Sequence, residues 1–156
     1  MISLAKFLYL VSLTAWIGSI VFFSFIGAPT LFKSLSHADA GKVVGMIFPK
    51  YYSLGIVTGF VALGTTLFLA IREGQWPIFK IILLLVMLTC VIYNQLSIHP
   101  RAHAFKEELA AATDPVEQEH LQMEFDHAHK VAVVYNGIVL LLGLLLLFLT
   151  ARGLVL

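Results

Sequence analysis

Charged residues and cysteine are both scarce in this sequence, and each scarcity narrows the class of protein. Of 156 residues, 10 are Lys or Arg and 9 are Asp or Glu, whereas 60% are hydrophobic. A soluble globular domain normally carries about 25% charged residues, so this composition excludes that class. The single cysteine, Cys90, excludes an intrachain disulfide framework. A formal net charge of +1 gives no reason to expect a nucleic-acid partner.

Four long runs contain no Asp, Glu, Lys or Arg. They cover residues 7–32, 51–71, 81–100 and 131–151. Each run has about 20 residues or more, the length that a helix needs to cross a bilayer core of about 30 Å. We therefore predict an all-α, four-helix transmembrane bundle whose main partner is the lipid bilayer.

We expect one integral membrane domain over residues 1–156. The predicted spans are about 4–32, 51–71, 78–98 and 131–151, with a polar helical loop over 100–130. In a bacterium, such a multi-pass protein belongs in the inner or plasma membrane. Of the Lys and Arg residues, six lie on the side of the loops that follow the first and third spans, against four on the other. Since cytoplasmic loops carry more positive charge, this count favours a cytoplasmic position for those loops.

The last third of the chain reads as one helix that runs from water into the membrane. Asp114 is suited to the N-cap, Pro115 to the first helical position, and Glu117 completes a capping-box pattern. From 116 to 130 the residues are mostly polar, and no Gly-Pro break separates them from the apolar run that follows. We expect the fourth helix to extend well beyond the lipid.

Prolines and a cap indicate where the other helices begin and end. Ser36 resembles an N-cap, and apolar residues at helical spacing up to Phe48 predict an interfacial amphipathic helix, with Pro49 opening the second span. The third span should end at Ile98, because the residue before Pro100 is pushed out of the helical region. Pro29 should kink or end the first helix.

Metal-ligating residue types collect on one side of the membrane. All six histidines fall in the loops that follow the first and third spans. On the fourth helix, His120, Glu124 and His127 lie on one stripe and could bind a divalent metal such as zinc or copper. The alternative is a solvated helix face. The Glu-x-x-His spacing also occurs in di-iron proteins, but there the two copies come from different helices, which disfavours iron here.

A second candidate site lies where the fourth helix enters the membrane. His129 shares a stripe with Asn136, and Asn94 on the antiparallel third helix reaches the same depth, about 9 Å below the surface. We expect these three side chains to form an inner ligand-binding site, with Tyr51 and Tyr52 at its mouth and Trp16 nearby. The alternative is a structural hydrogen bond between the two amides.

An ordered set of short motifs resembles a known family. The motifs are Trp16-x-Gly18, Ala28-Pro29-x-Leu31-Phe32, Gly41, Phe48-Pro49-x-Tyr51-Tyr52, Asn94 with Pro100-Arg101, and Phe125-x3-His129-x6-Asn136. Together they resemble the transmembrane protein 205-like family. The resemblance implies a four-helix membrane protein from a family that is described as a domain of unknown function. Animal members are linked to resistance to platinum drugs, which implies handling of metals or xenobiotics.

A fainter likeness connects the chain to copper-resistance D proteins and bacterial membrane protoporphyrinogen oxidases. It consists of the Trp16-x-Gly18 pattern in the first helix. The oxidases have a histidine about two turns before that tryptophan, where this chain has Tyr9. This departure makes haem a less favoured cofactor than a divalent metal.

The leading functional hypothesis is a protein that binds or transports a metal ion or a small amphipathic compound, in metal or xenobiotic tolerance. The alternatives are a haem- or metal-dependent redox protein and an assembly or scaffold protein without a ligand. The sequence shows no Ser-His-Asp order, Walker loop or Rossmann glycine pattern, so we assign no catalytic residue and do not favour an enzyme. Small-residue faces, such as Gly55-x3-Gly59, leave homo-oligomerisation open.

Overall fold

A computed structural model describes residues 1–153, and these residues form four long helices with no strand among them. The helices are α1 (Ile2–Ser34), α2 (His37–Glu73), α3 (Ile78–Ala111) and α4 (Pro115–Ala151), and each is long and apolar enough to cross a membrane. The predicted all-α class with four spanning helices is thus confirmed. Length and composition of this kind are those of an integral membrane protein.

The four helices form a ring in which consecutive helices are antiparallel neighbours. The connection between α1 and α2 and the turn between α2 and α3 are short, and α4 also packs against α1. At the end of the bundle where α1 begins and α4 ends, Lys6 Nζ lies 2.9 Å from Glu73 Oε1. The hydroxyls of Tyr9 and Thr150 are 3.0 Å apart at the same end. These contacts place the start of α1 beside the ends of α2 and α4.

The centre of the bundle is built around Trp16, which is 1% exposed. Its indole packs on Gly55 and Gly59 of α2, one turn apart. A methyl group added to Gly59 would lie 2.6 Å from Leu88 Cδ2 and 2.7 Å from Trp16 Cζ3. The glycines therefore provide the space that the tryptophan ring fills. The Gly55-x3-Gly59 face thus mediates a close contact between α2 and α1 within one chain.

Helix α2 begins at the predicted cap, because the Ser36 hydroxyl accepts a hydrogen bond from the Asp39 backbone N–H. The structure differs from the prediction at Pro49, where a new helix was expected to begin, since α2 continues through this residue without a break. A proline inside a helix leaves the carbonyl four residues earlier, here Gly45, without its usual donor. The His99 side chain of α3 lies close to the Gly45 backbone at this point.

Helices α1 and α3 also continue past the prolines that were expected to end or kink them. In each, a five-residue π-helical turn immediately precedes the X-Pro pair: Phe23–Gly27 before Pro29, and Asn94–Ile98 before Pro100. A π-turn widens the helix locally, so the proline ring avoids the carbonyl four residues earlier and the chain stays helical. The third helix accordingly ends at Ala111, not at Ile98.

The fourth helix is one uninterrupted rod, as predicted. Its N-cap is Asp114, whose carboxylate accepts from the Val116 N–H at 3.3 Å. The polar first half of α4 packs along the last part of α3, residues 99–111, and buries Leu121. These paired extensions form the part of the molecule that lies beyond the apolar spans.

Four antiparallel spans place both chain ends on one side of the membrane. We expect single cysteines introduced at Ser3 and Arg152 to react with an impermeant maleimide from one side. Cysteines at Ser36 and Thr113 should react only from the other side. The measurement is a labelling map in sealed vesicles, on a background in which Cys90 is replaced by Ser. Labelling of Ser3 and Arg152 from opposite sides would be incompatible with this topology.

The fit of Trp16 between two helices gives a stability prediction. Gly59→Ala should lower the free energy of unfolding by about 1–3 kcal/mol, because the added methyl group overpacks the Trp16 ring. Gly64→Ala is the matched control, since no atom lies within 4 Å of its added methyl group. That control should be neutral or stabilising by up to about 1 kcal/mol. Unfolding of both variants in detergent micelles tests the comparison, and equal effects would contradict it.

Candidate functional site

A cluster of hydrogen-bonded polar side chains lies between the helices, close to the level of the π-turn in α3. The Tyr51 hydroxyl donates to Asn136 Oδ1 at 2.6 Å, joining α2 to α4. Asn136 Nδ2 donates to Ser24 Oγ at 3.3 Å, which adds α1. Polar groups at this depth are costly unless they are paired. The contacts of Asn136 therefore connect three of the four helices.

Asn94 is the first residue of the π-turn in α3 and is 1% exposed. Its Nδ2 donates to the backbone carbonyl of Ala132 on α4 at 3.4 Å. Its Oδ1 is buried and accepts no hydrogen bond from any described residue. The two amides of Asn94 and Asn136 thus bond to different partners rather than to each other, in contrast to the structural alternative considered from the sequence.

These residues line one very small cavity of about 10 Å³, which we call the inner cavity. Its lining comes from all four helices and consists of Trp16, Ser19, Ile20, Tyr51, Gly55, Val91, Asn94, Asn136 and Val139. Four of the six residues assigned to the ligand site from the sequence, Asn94, Asn136, Tyr51 and Trp16, therefore come together. At this size, the inner cavity has no room for an organic ligand.

A second and much larger cavity of about 610 Å³, the outer cavity, lies between α2 and the paired extensions of α3 and α4. It contains the remaining two predicted residues, His129 and Tyr52. Its lining is Phe32, Gly41, Lys42, Val44, Gly45, Met46, Phe48, Tyr52, Ile98, His99, Ala102, His103, Lys106, Glu107, Ala110, Phe125, His129 and Ala132. The structure thus places His129 and Asn136, expected to share one site, in two separate cavities.

Aromatic rings form the inner wall of the outer cavity. Phe48 stacks on Tyr52 with ring centroids 5.5 Å apart, and His99 meets both rings edge-on at 5.9 and 6.2 Å. His129 stacks on Phe125 at 6.3 Å. His99 also lies beside the Gly45 backbone. These rings make the wall apolar and leave a few polar atoms in fixed places.

Positive and titratable groups of α3 line the same cavity. The Lys106 side chain reaches across to α2, where its Nζ lies 3.0 Å from the position that a Cβ on Gly41 would occupy. Among residues 1–153, Lys106 forms no ion pair, whereas His103 Nδ1 lies 3.5 Å from Glu107 Oε1. Sequence reasoning missed both His99 and Lys106. The signal that could have found them is helical spacing, since residues 99, 102, 103, 106 and 110 all line the cavity.

The predicted metal stripe lies on the surface of α4 and lines neither of these cavities. His120 and His127 are exposed, and Glu124 is partly exposed. In the part of the chain that the structure describes, no group of three His, Cys, Asp or Glu side chains could hold a metal ion. The exposure of these side chains fits the alternative prediction of a solvated helix face.

The fold and these cavities define a four-helix integral membrane protein with a recess at one surface. The chain belongs to the family described as Domain of unknown function (DUF4149), whose model matches residues 11–111. This range holds Trp16, Tyr51, Tyr52 and Asn94, and it ends before α4. An uncharacterized protein of Aquifex aeolicus (strain VF5) is 37% identical over 99 residues, covering 64% of this chain and 70% of the relative. No solved structure matches the chain significantly.

The hydrogen bond between Tyr51 and Asn136 gives a prediction about the inner cluster. Tyr51→Phe and Asn136→Leu should each lower the free energy of unfolding by about 0.6–2 kcal/mol, the range for hydrogen bonds between membrane helices. The double variant should lose less than the sum, because both single changes remove the same bond. Tyr93→Phe, at an exposed position of α3, is the control and should be nearly neutral. Strictly additive losses would show that the two side chains are not coupled.

Proposed function

We propose that this protein binds a small amphipathic anion in the outer cavity, at the membrane surface formed by the extensions of α3 and α4. The observation that supports this most directly is a recess of about 610 Å³ that combines apolar walls with a few basic groups. Binding sites for small molecules generally occupy about 300–1,000 Å³ and combine apolar walls with a few fixed polar groups. The volume and lining of the outer cavity fit that description.

The charges around the cavity favour an acidic head group on the ligand. Lys106 and Lys42 line it against one carboxylate, Glu107, and Lys42 lies 3.8 Å from Asp39. Lys106 is therefore the strongest attraction for a carboxylate or phosphate, and His103 and His129 can add hydrogen bonds. Phe32, Phe48 and Phe125 provide apolar surface for the tail of such a ligand.

We limit the proposal to binding because the centre of the bundle is closed by packed side chains. Leu13, Trp16, Leu84, Met87 and Leu146 are at most 1% exposed. The outer cavity shares no lining residue with the inner cavity or with the cavity of about 430 Å³ at the opposite end. Transport would require a rearrangement of this core, so binding accounts for the described geometry with fewer assumptions.

The other readings of the sequence have less support. A metal function would need a ligand set, and the described residues do not form one. A haem bound at the level of Tyr9 would meet a tyrosine hydroxyl that is hydrogen-bonded to Thr150. This level lies at the end of the bundle opposite the histidines. The family that the comparisons show is a domain of unknown function, and it does not distinguish among these alternatives.

The role of Lys106 can be tested with a dansyl-labelled fatty acid as the probe and protein in nanodiscs. Lys106→Gln should weaken probe binding roughly fivefold, which is about 1 kcal/mol for a partly exposed charge pair. Lys106→Gln should leave binding of the methyl ester of the same probe unchanged, because the uncharged ester forms no ion pair with Lys106. The measurement is a fluorescence titration that is corrected for partition into empty nanodiscs.

Lys33→Gln is the matched control, since this exposed lysine lies near the same surface but does not line the outer cavity. It should leave both titrations unchanged. Equal binding of acid and ester, with no effect of Lys106→Gln, would contradict the anion site. Binding of neither probe beyond empty nanodiscs would favour the alternative of an assembly protein without a ligand.

A further inference from the structure

The inner cavity contains a polar atom whose bonding is incomplete. Asn94 Oδ1 is buried at a residue that is 1% exposed, and no described residue donates to it. A buried polar atom that makes no hydrogen bond costs about 1–3 kcal/mol, so such atoms in folded proteins normally have a partner. Nδ2 of the same side chain donates to the Ala132 carbonyl. This hydrogen bond fixes the orientation of the amide, and in that orientation Oδ1 has no partner among the described residues.

The space beside Asn94 has the size of one water molecule. A water needs a cavity of roughly 10–15 Å³ and two to four polar partners. The inner cavity measures about 10 Å³, and its polar lining is Trp16, Ser19, Tyr51, Asn94 and Asn136. Both the volume and the number of polar groups therefore meet the requirement.

The hydrogen bonds already made decide what each lining group can offer. Tyr51 gives its proton to Asn136, and Ser19 gives its proton to the carbonyl of Trp16 at 2.7 Å, so both hydroxyl oxygens can only accept. Asn94 Oδ1 is a further acceptor. Trp16, whose Nε1 lies beside Gly55 of the cavity lining, is a donor. A water molecule can accept from this donor and give its two protons to two of the three acceptors, one of them Asn94 Oδ1.

We propose that the inner cavity is a binding site for a single water molecule, which donates to Asn94 Oδ1 and bridges α3 to α1 and α2. A metal cation is the other small species that oxygen atoms attract. However, the charge-free runs 7–32, 51–71, 81–100 and 131–151 supply every lining residue and no carboxylate. A cation there would be buried without a countercharge, which is far more costly than a neutral water.

The bound water is separated from the outer cavity, so the site does not depend on the proposed ligand. The two cavities share no lining residue. Ser19 and Tyr51, by contrast, also line a groove of about 700 Å³ on the outside of α1 and α2. We expect the water to exchange more slowly than water at the surface, because leaving the cavity breaks the hydrogen bonds that it makes there.

The two tryptophans allow a direct test by NMR. Only two indole N–H signals arise from the chain, and Trp76 is 56% exposed whereas Trp16 is 1% exposed. In deuterated protein with ¹⁵N-labelled indoles, Trp16 Hε1 should show a nuclear Overhauser cross-peak to water with the sign of a long-lived contact. Trp76 Hε1 should show only the pattern of rapidly exchanging surface water. Trp76→Phe assigns the signals.

Two variants test whether the cross-peak comes from this cavity. Asn94→Leu removes the acceptor, and Ser19→Val adds a methyl group to the space and leaves Asn94 in place. Both should abolish the Trp16 cross-peak, while Thr89→Val at the exposed face of α3 should retain it. Absence of the cross-peak in the unmodified protein would overturn the proposal, even if one variant fails to fold. Persistence of the cross-peak in a folded Asn94→Leu or Ser19→Val variant would overturn it as well.

Discussion

The close approach of α1 and α2 at Trp16 is the contact on which the rest of the bundle depends. Because lipid tails are as apolar as leucine, burial alone gives little drive for two helices to associate in a membrane, and close packing has to supply it. Gly55 and Gly59 let the indole lie directly on the backbone of α2, and Leu88 closes the space from α3. The same ring forms one wall of the inner cavity. Packing of the core and placement of the polar cluster therefore share one side chain.

The spanning helices could be predicted because each residue of a long apolar run adds to the hydropathy that indicates a membrane helix. A charge-free run of about 20 residues has few alternatives to a membrane helix, whatever its neighbours are. The helix ends at proline could not be predicted in the same way. A local rule ends the helix before Pro49 or Pro100, but α2 continues through Pro49 with the His99 side chain beside the Gly45 backbone, and a π-turn precedes Pro100. Both features depend on contacts or backbone geometry that a single sequence does not reveal.

The candidate site could be predicted only in part, because the positions of neighbouring helices are again not visible in a single sequence. Counting residues from the membrane surface gave the common depth of Asn94 and Asn136, because the rise of a helix is constant. The separation of His129 from Asn136 was not predicted, since a stripe on one helix says nothing about where neighbouring helices diverge. Lys106 was missed because its role arises from its reach across to Gly41 on another helix. Residue type and spacing predict which side chains share one face of a helix. A cavity, however, forms only where the faces of several helices come together.

The π-turn at Asn94–Ile98 bears on how the outer cavity would select among the ligands proposed for it. Most of the wall contributed by α3 lies just beyond this turn, at His99, Ala102, His103 and Lys106, whereas α2 and α4 cross the same level as regular, uninterrupted helices. One wall of the recess is thus joined to the bundle through a widened helical turn, whereas the walls from α2 and α4 continue from the bundle as α-helices. Under the function proposed above, we expect small tilts of the α3 segment at this turn to admit ligands that share an acidic head group and differ in bulk.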